Sequence, residues 1–62
     1  MVKILLVDDH AVVRAGLKFM IEKMLLHAAI EEAGDGDAAF DLIKKTQYDL
    51  VILDVSMPGR TL

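Results

Sequence analysis

Three short apolar stretches alternate along the chain with two stretches of helical periodicity. The apolar stretches extend from Val2 to Val7, from Ala29 to Ala33 and from Leu50 to Leu53, and Asp54 ends the third predicted strand. Aliphatic runs of this length are typical of strands that are buried on both faces of a parallel sheet. The second stretch is the weakest strand prediction, because its only β-branched residue is Ile30.

The longer helical stretch extends from about Ala11 to Leu26. Its apolar residues recur every three or four positions, and polar residues occupy the opposite face. We expect the apolar stripe to face the core; it comprises Val13, Leu17, Met20, Ile21 and Met24. Asp9 is the predicted N-cap, and Gly16 is expected to allow close packing although it lowers helix propensity.

A second helix is predicted from about Asp37 to Thr46, with Ala39, Leu42 and Ile43 on its core-facing side. The residues from Gly34 to Asp37 superficially resemble a calcium-binding loop. They lack the spaced acids and the terminal glutamate of such a loop, and they are interpreted as a turn and a helix cap. The order β-α-β-α-β with short connections predicts right-handed crossovers and a parallel α/β sheet.

Acidic residues follow two of the predicted strands. Asp8 and Asp9 come directly after the first strand, and Asp54 ends the third. In open parallel sheets, ligands bind outside the carboxyl ends of the strands, at the point where the strand order reverses. If the second and third strands flank the first, the three carboxylates converge in one shallow pocket.

Such a cluster would need a cation, because neighbouring carboxylates repel one another. Mg²⁺ fits this donor set, and a carboxylate beside it could attack a phosphoryl group. Each acid taken alone also has a plain structural interpretation, as a helix cap or as the end of a strand. His10 and His27 have no metal-ligand spacing, and His10 is interpreted as a solvated residue in the first helical turn.

Composition narrows the classes of function. The chain has 62 residues, a net charge of −3 and no cysteine. One small domain is expected, without disulfides or thiolate metal sites. The acidic balance argues against a nucleic-acid surface. No segment has the eighteen or so apolar residues of a membrane span, so a soluble, cytoplasmic protein is predicted.

The motifs "ILLVDDH", "AGDGDAAFDLI" and "YDLVILDVSMPG" together resemble the first half of a response-regulator receiver domain from bacterial two-component signalling. The resemblance spans about residues 2–60. The segment "VDDHAVVRAGL" further resembles the LuxR-type subfamily, whose receivers usually precede a DNA-binding domain. The resemblance implies a flavodoxin-like α/β fold with strand order 2-1-3, in which residues 1–62 form a partial receiver.

The resemblance also implies roles for individual residues. Asp54 matches the phosphoacceptor, which takes a phosphoryl group from a sensor histidine kinase. Asp9 matches the direct Mg²⁺ ligand, Asp8 the acid that holds the ion mainly through water, and Ser56 the residue whose backbone carbonyl also binds the ion. A receiver of this kind is a signalling phosphoacceptor and at most a weak catalyst of its own phosphorylation, so the protein is not predicted to be an enzyme.

The chain departs from the family in length, because receivers have five strands and five helices. In the family, a later Lys contacts the phosphoryl group, and a Ser/Thr and an aromatic residue relay phosphorylation to the output face. None of these has a counterpart in residues 1–62, so impaired phosphotransfer is expected. The third strand would be left with an exposed edge, which predicts self-association into a homo-oligomer. The alternative is a self-assembling structural half-domain without chemistry. A haloacid-dehalogenase-type hydrolase fits less well, because it needs a second acid at the position of Ser56.

Overall fold

The strand β1 (Val2–Val7) lies at the centre of a three-stranded parallel sheet, in this computed structural model. The structure describes residues 1–54. The chain continues through α1 (Ala11–Met24), β2 (Ala28–Ala33), α2 (Gly36–Lys45) and β3 (Leu50–Leu53). Ser56 and the Met57-Pro58-Gly59 turn, both singled out from the sequence, lie outside the described residues.

The strand order is β2-β1-β3, as predicted, and both pairings are parallel. β1 pairs with β2 along its whole length, from Val2 opposite Ala28 to Val7 opposite Ala33. This pairing explains why β2 forms despite its alanine-rich sequence: β1 supplies a complete set of ladder partners. The truncated flavodoxin-like α/β architecture expected from the sequence is confirmed.

The core is built around β1. Its residues Ile4, Leu5, Leu6 and Val7 are at most 1% exposed. The first crossover leads from β1 to β2, and the second leads in the opposite direction, from β2 past β1 to β3. Right-handed connections therefore place α1 and α2 on opposite faces of the sheet. On the α2 face, Leu5 and Val7 pack with Ala33 and Ala39, and Leu42 and Tyr48 pack around them.

The two helices begin differently. Asp35 caps α2, because its Oδ1 accepts a hydrogen bond from the backbone N–H of Ala38 at 2.7 Å. The N-cap of α1 is His10, and no side-chain hydrogen bond caps this helix. The prediction that Asp9 is the N-cap is therefore wrong. The Asp9 carboxylate instead lies 2.8 Å from Nδ1 of His10.

The apolar stripe of α1 is less buried than the sequence predicted. No residue of α1 is fully buried, and Met20 and Met24 are 58% and 75% exposed. Val13 of α1 is 49% exposed, and Ile43 of α2 is 40% exposed. Both helices pack on β1 and β2. The prediction that these four residues lie in the core was therefore wrong.

β3 is an edge strand within residues 1–54, because β1 is its only partner there. Three of its four residues are exposed by more than a third, namely Leu50, Val51 and Leu53. Asp49, the residue before β3, is joined to Lys3 of β1 by two hydrogen bonds. The Asp49 N–H donates to the Lys3 carbonyl at 2.8 Å, and the Lys3 N–H donates to Oδ2 of Asp49 at 2.7 Å.

Gly16 does not mediate close packing, contrary to the expectation from the sequence. It is exposed in the middle of α1, and a Cβ added there would meet no atom within 4 Å.

We therefore expect Gly16→Ala to raise the free energy of unfolding by about 0.5–1 kcal/mol, since alanine loses less backbone entropy in a helix. Urea unfolding followed by circular dichroism measures this gain. Ala15→Gly, at an exposed neighbour in the same helix, should lower stability by a similar amount. An unchanged or lowered midpoint for Gly16→Ala would contradict the expectation.

Candidate functional site

The sheet itself positions two acids at its carboxyl edge. The backbone N–H of Asp8 donates to the Ala33 carbonyl at 3.1 Å, and the backbone N–H of Asp54 donates to the Val7 carbonyl at 3.0 Å. The ladders on both sides of β1 therefore continue one residue beyond the strands. This continuation fixes the backbone at both positions and directs the end of β3 toward the end of β1.

Four side chains converge at this edge. One ligand atom from each of Asp8, Asp9, His10 and Asp54 lies within 4.8 Å of the others. Asp8 is buried, with 7% of its side chain exposed, whereas Asp9 and Asp54 are 28% and 25% exposed. The predicted convergence of the three acids is thus present in the structure.

His10 contacts this cluster, although 63% of its side chain is exposed, as expected of a solvated residue. Its Nδ1 lies 2.8 Å from Asp9 Oδ1, 3.1 Å from Asp8 Oδ1 and 3.8 Å from Asp54 Oδ2. The spacing of histidines along the chain did not indicate this contact. The cluster is formed by residues adjacent in the chain and by a second strand.

The acids shift the protonation of this histidine. The hydrogen bond from Nδ1 to Asp8 makes the largest contribution and raises the pKa of His10 above its ordinary value of 6.5. The negative charges of Asp9, Asp8 and Asp54 act in the same direction, and burial opposes them. The imidazolium form is therefore favoured, since the side chain is a cation among carboxylates.

Arg14 fastens α1 beside the cluster, a role that the sequence pattern did not reveal. Its Nη1 donates to the backbone carbonyl of Asp8 at 2.6 Å, and its Nε donates to Oε1 of Glu32 at 3.0 Å. Lys18 also contacts Glu32, with Nζ 3.4 Å from Oε2. These contacts join the first turns of α1 to the end of β2 and to the residue that follows β1.

The donor atoms of the cluster fit a divalent cation. Carboxylate oxygens are the ligands that Mg²⁺ takes in proteins, and an imidazole nitrogen suits several transition metals. The acids offer negative charge at short range, and a bound cation would relieve the repulsion between them.

A shallow depression of about 440 Å³ lies away from these acids, at the other end of β3. It is lined by Ile43, Lys44, Lys45, Thr46, Gln47, Tyr48 and Val51. None of the clustered acids contributes to it.

The Glu32 contacts predict a pH dependence of stability. The hydrogen bond from Arg14 is the largest cause that lowers the pKa of Glu32 from its ordinary value of 4.5. A lowered pKa in the folded state means that the carboxylate stabilises the fold above pH 4.5 and loses this effect as the pH falls through the folded-state pKa.

We expect Glu32→Gln to lower the free energy of unfolding at neutral pH by at most about 1 kcal/mol, because a third of the Glu32 side chain is exposed. The difference from the wild type should vanish in acid. Urea unfolding at a series of pH values measures it. Glu22→Gln, which changes an exposed glutamate of α1, is the matched control. A difference that persists in acid would contradict this account.

Comparisons with known proteins identify the family to which the chain is similar. The family described as the response regulator receiver domain matches residues 4–61. The chain is 43% identical to the transcriptional regulatory protein YdfI of Bacillus subtilis over 56 residues, which are 90% of this chain and 26% of that protein. No solved structure matches.

Two relatives from Escherichia coli K12 are similar over nearly the same stretch. The chain is 39% identical to the response regulator UvrY over 59 residues, covering 95% of this chain and 27% of that protein. It is 38% identical to the nitrate/nitrite response regulator protein NarL over 56 residues, covering 90% and 26%. The chain thus spans about a quarter of the length of the curated relatives that it matches.

Among the described residues, no helix is long and apolar enough to cross a membrane. The family match covers almost all of the sequence, as the sequence motifs indicated, and two of these relatives are named as response regulators. This chain therefore belongs to the response regulator receiver domain family of two-component signalling.

Proposed function

We propose that Asp54 is the phosphoacceptor of this receiver and that Asp8 and Asp9 hold a Mg²⁺ ion beside it. The observation that supports this most directly is the convergence of the three carboxylates at the carboxyl edge of β1 and β3. A quarter of the Asp54 side chain is exposed, so a phosphoryl donor can reach it from solvent. Ser56 is the proposed source of a further ligand through its backbone carbonyl.

The proposed reaction is a phosphoryl transfer to a carboxylate. A carboxylate oxygen of Asp54 forms a bond to phosphorus while the bond from phosphorus to the donor's imidazole nitrogen breaks, and that nitrogen leaves with the electron pair. Mg²⁺, when bound, would offset the negative charge on the phosphoryl oxygens. The ladder bond from the Asp54 N–H to Val7 holds the acceptor at the sheet edge while this occurs.

The partner proposed as phosphoryl donor is a sensor histidine kinase. Relatives of this chain are named as a transcriptional regulatory protein and as response regulators, which supports a regulatory output in a longer protein. The acidic net charge of −3 argues against direct nucleic-acid binding by these 62 residues. Location in the cytoplasm stays a prediction from the sequence.

Phosphorylation can be tested with acetyl phosphate, a small phosphoryl donor, in the presence of Mg²⁺. We expect a mass gain of one phosphoryl group on a minority of molecules, because transfer depends on cationic groups around the phosphoryl oxygens. The gain should be lost in Asp54→Asn and kept in Asp41→Asn, which changes an exposed acid of α2. Intact mass spectrometry measures both. An adduct that survives in Asp54→Asn would refute the assignment, and complete modification would refute the expected impairment.

Magnesium binding separates the receiver function from a structural half-domain. Asp9→Asn should weaken Mg²⁺ binding by about tenfold or more, since it removes a charged oxygen from the proposed site. Asp41→Asn again serves as the control. Isothermal titration calorimetry measures the affinities. If Asp9→Asn and Asp54→Asn both leave Mg²⁺ affinity unchanged, the acids do not form an ion site, and the structural alternative gains support.

We also propose that the chain associates with itself through β3. The supporting observation is the exposed apolar edge, since unpaired strand edges pair readily with a second chain. At concentrations on the order of tens of micromolar, the protein should sediment as a species larger than a monomer.

The matched variants for this test add one lysine to either of two exposed apolar positions. Val51→Lys places the charge on β3 and should shift the sedimenting species toward monomer. Leu26→Lys changes a residue that is 81% exposed outside the sheet, and it should have no effect. Circular dichroism verifies that both variants are folded. A monomeric wild-type protein at these concentrations would contradict the proposal.

A further inference from the structure

We infer that His10 is a fourth donor of the cation site and that its imidazole shifts the preference of the site from Mg²⁺ toward ions that accept nitrogen ligands, such as Zn²⁺. The inference rests on the proposed ion site of Asp8, Asp9 and Asp54. It concerns the ion selectivity of that site, because the three carboxylates alone offer only oxygen donors.

The separations within the cluster suit a shared ion. Donor atoms about 2.0–2.2 Å from one Zn²⁺ are at most about 4.4 Å apart. His10 Nδ1 lies 2.8–3.8 Å from a carboxylate oxygen of each of the three acids. The whole set of four atoms lies within 4.8 Å. Small side-chain rotations are therefore enough to bring four donors to one ion.

Hydrogen bonds hold the backbone of His10 at the start of α1. The His10 N–H donates to Asp8 Oδ1 at 2.8 Å, and the His10 carbonyl accepts from the Arg14 N–H at 2.9 Å in the first turn of α1. Arg14 is itself held by Glu32 and by the Asp8 carbonyl. The ring thus extends from an ordered position at the start of the helix, which reduces the entropy lost when it binds an ion.

The ligand set determines which ion gains most. Mg²⁺ prefers oxygen ligands and keeps several waters, so an imidazole adds little to its binding. Zn²⁺ takes imidazole nitrogen readily alongside carboxylate oxygen. His10 should therefore strengthen Zn²⁺ binding selectively.

The test compares the affinities of the untagged 62-residue protein for MgCl2 and ZnCl2 by isothermal titration calorimetry at one fixed pH. His10→Asn removes the nitrogen donor but keeps a polar side chain that is favoured at a helix N-cap. His27→Asn removes the other histidine, which is exposed and lies between α1 and β2. The quantity of interest is the ratio of the Mg²⁺ Kd to the Zn²⁺ Kd.

We expect this ratio to fall by roughly tenfold in His10→Asn, through weaker Zn²⁺ binding, and to stay constant in His27→Asn. A fall of less than about fivefold in His10→Asn, or an equal fall in His27→Asn, overturns the inference. Circular dichroism establishes that the variants remain folded.

A second measurement observes the nitrogen directly. In ¹⁵N-labelled wild-type protein, saturating ZnCl2 should move the Nδ1 resonance of His10 to a position that saturating MgCl2 does not produce. An unshifted Nδ1 resonance at saturating Zn²⁺ overturns the inference. Its failure remains distinguishable from failure of the proposed function: if Asp9→Asn abolishes Mg²⁺ binding but His10→Asn leaves the ratio unchanged, the ion site stands and only the role of His10 is refuted.

Discussion

The pairing of β1 with a parallel strand on each side is the constraint on which the rest of the structure depends. Four consecutive aliphatic residues can be almost completely buried only where two strands and two helices surround them. The same pairing forms β2, a segment with little strand propensity of its own. It also extends one residue beyond the strands on both sides, so Asp8 and Asp54 have their backbones fixed by the sheet.

This arrangement has an electrostatic consequence at the carboxyl edge. The ladder holds the backbones of Asp8 and Asp54 at the same edge of the sheet, and Asp9 directly follows Asp8, so three carboxylates lie close together. Nearby positive charge comes from His10, whose pKa is raised by the acids, and from Arg14, whose guanidinium contacts the carbonyl of Asp8. The fold thus concentrates negative charge at the carboxyl edge of the sheet, where we propose that a cation and a phosphoryl group bind.

The exposed apolar residues of α1 and β3 have one cause, which is that the described sheet has only three strands. Both helices pack over β1 and β2, and in the part of the chain that is described β3 has a single neighbour. Apolar residues of α1 and β3 are therefore left in contact with solvent. The chain matches about a quarter of the length of its relatives, so these surfaces are where additional chain, or a second copy, would find apolar area to bury.

The sequence by itself determined the order of the elements, the parallel sheet and the acids at its edge, because hydrophobic periodicity and strand ends are local properties. It could not determine which apolar residues are buried: Met20, Met24 and Ile43 follow the helical pattern, but their burial depends on whether another element covers them. It also could not determine the partners of Asp9 and His10. Local rules assigned one to a helix cap and the other to solvent, whereas in the structure the Asp9 carboxylate lies 2.8 Å from Nδ1 of His10, within a cluster that includes Asp8 and Asp54. That juxtaposition is decided by tertiary structure, because it joins side chains about 45 residues apart through hydrogen bonds of the sheet.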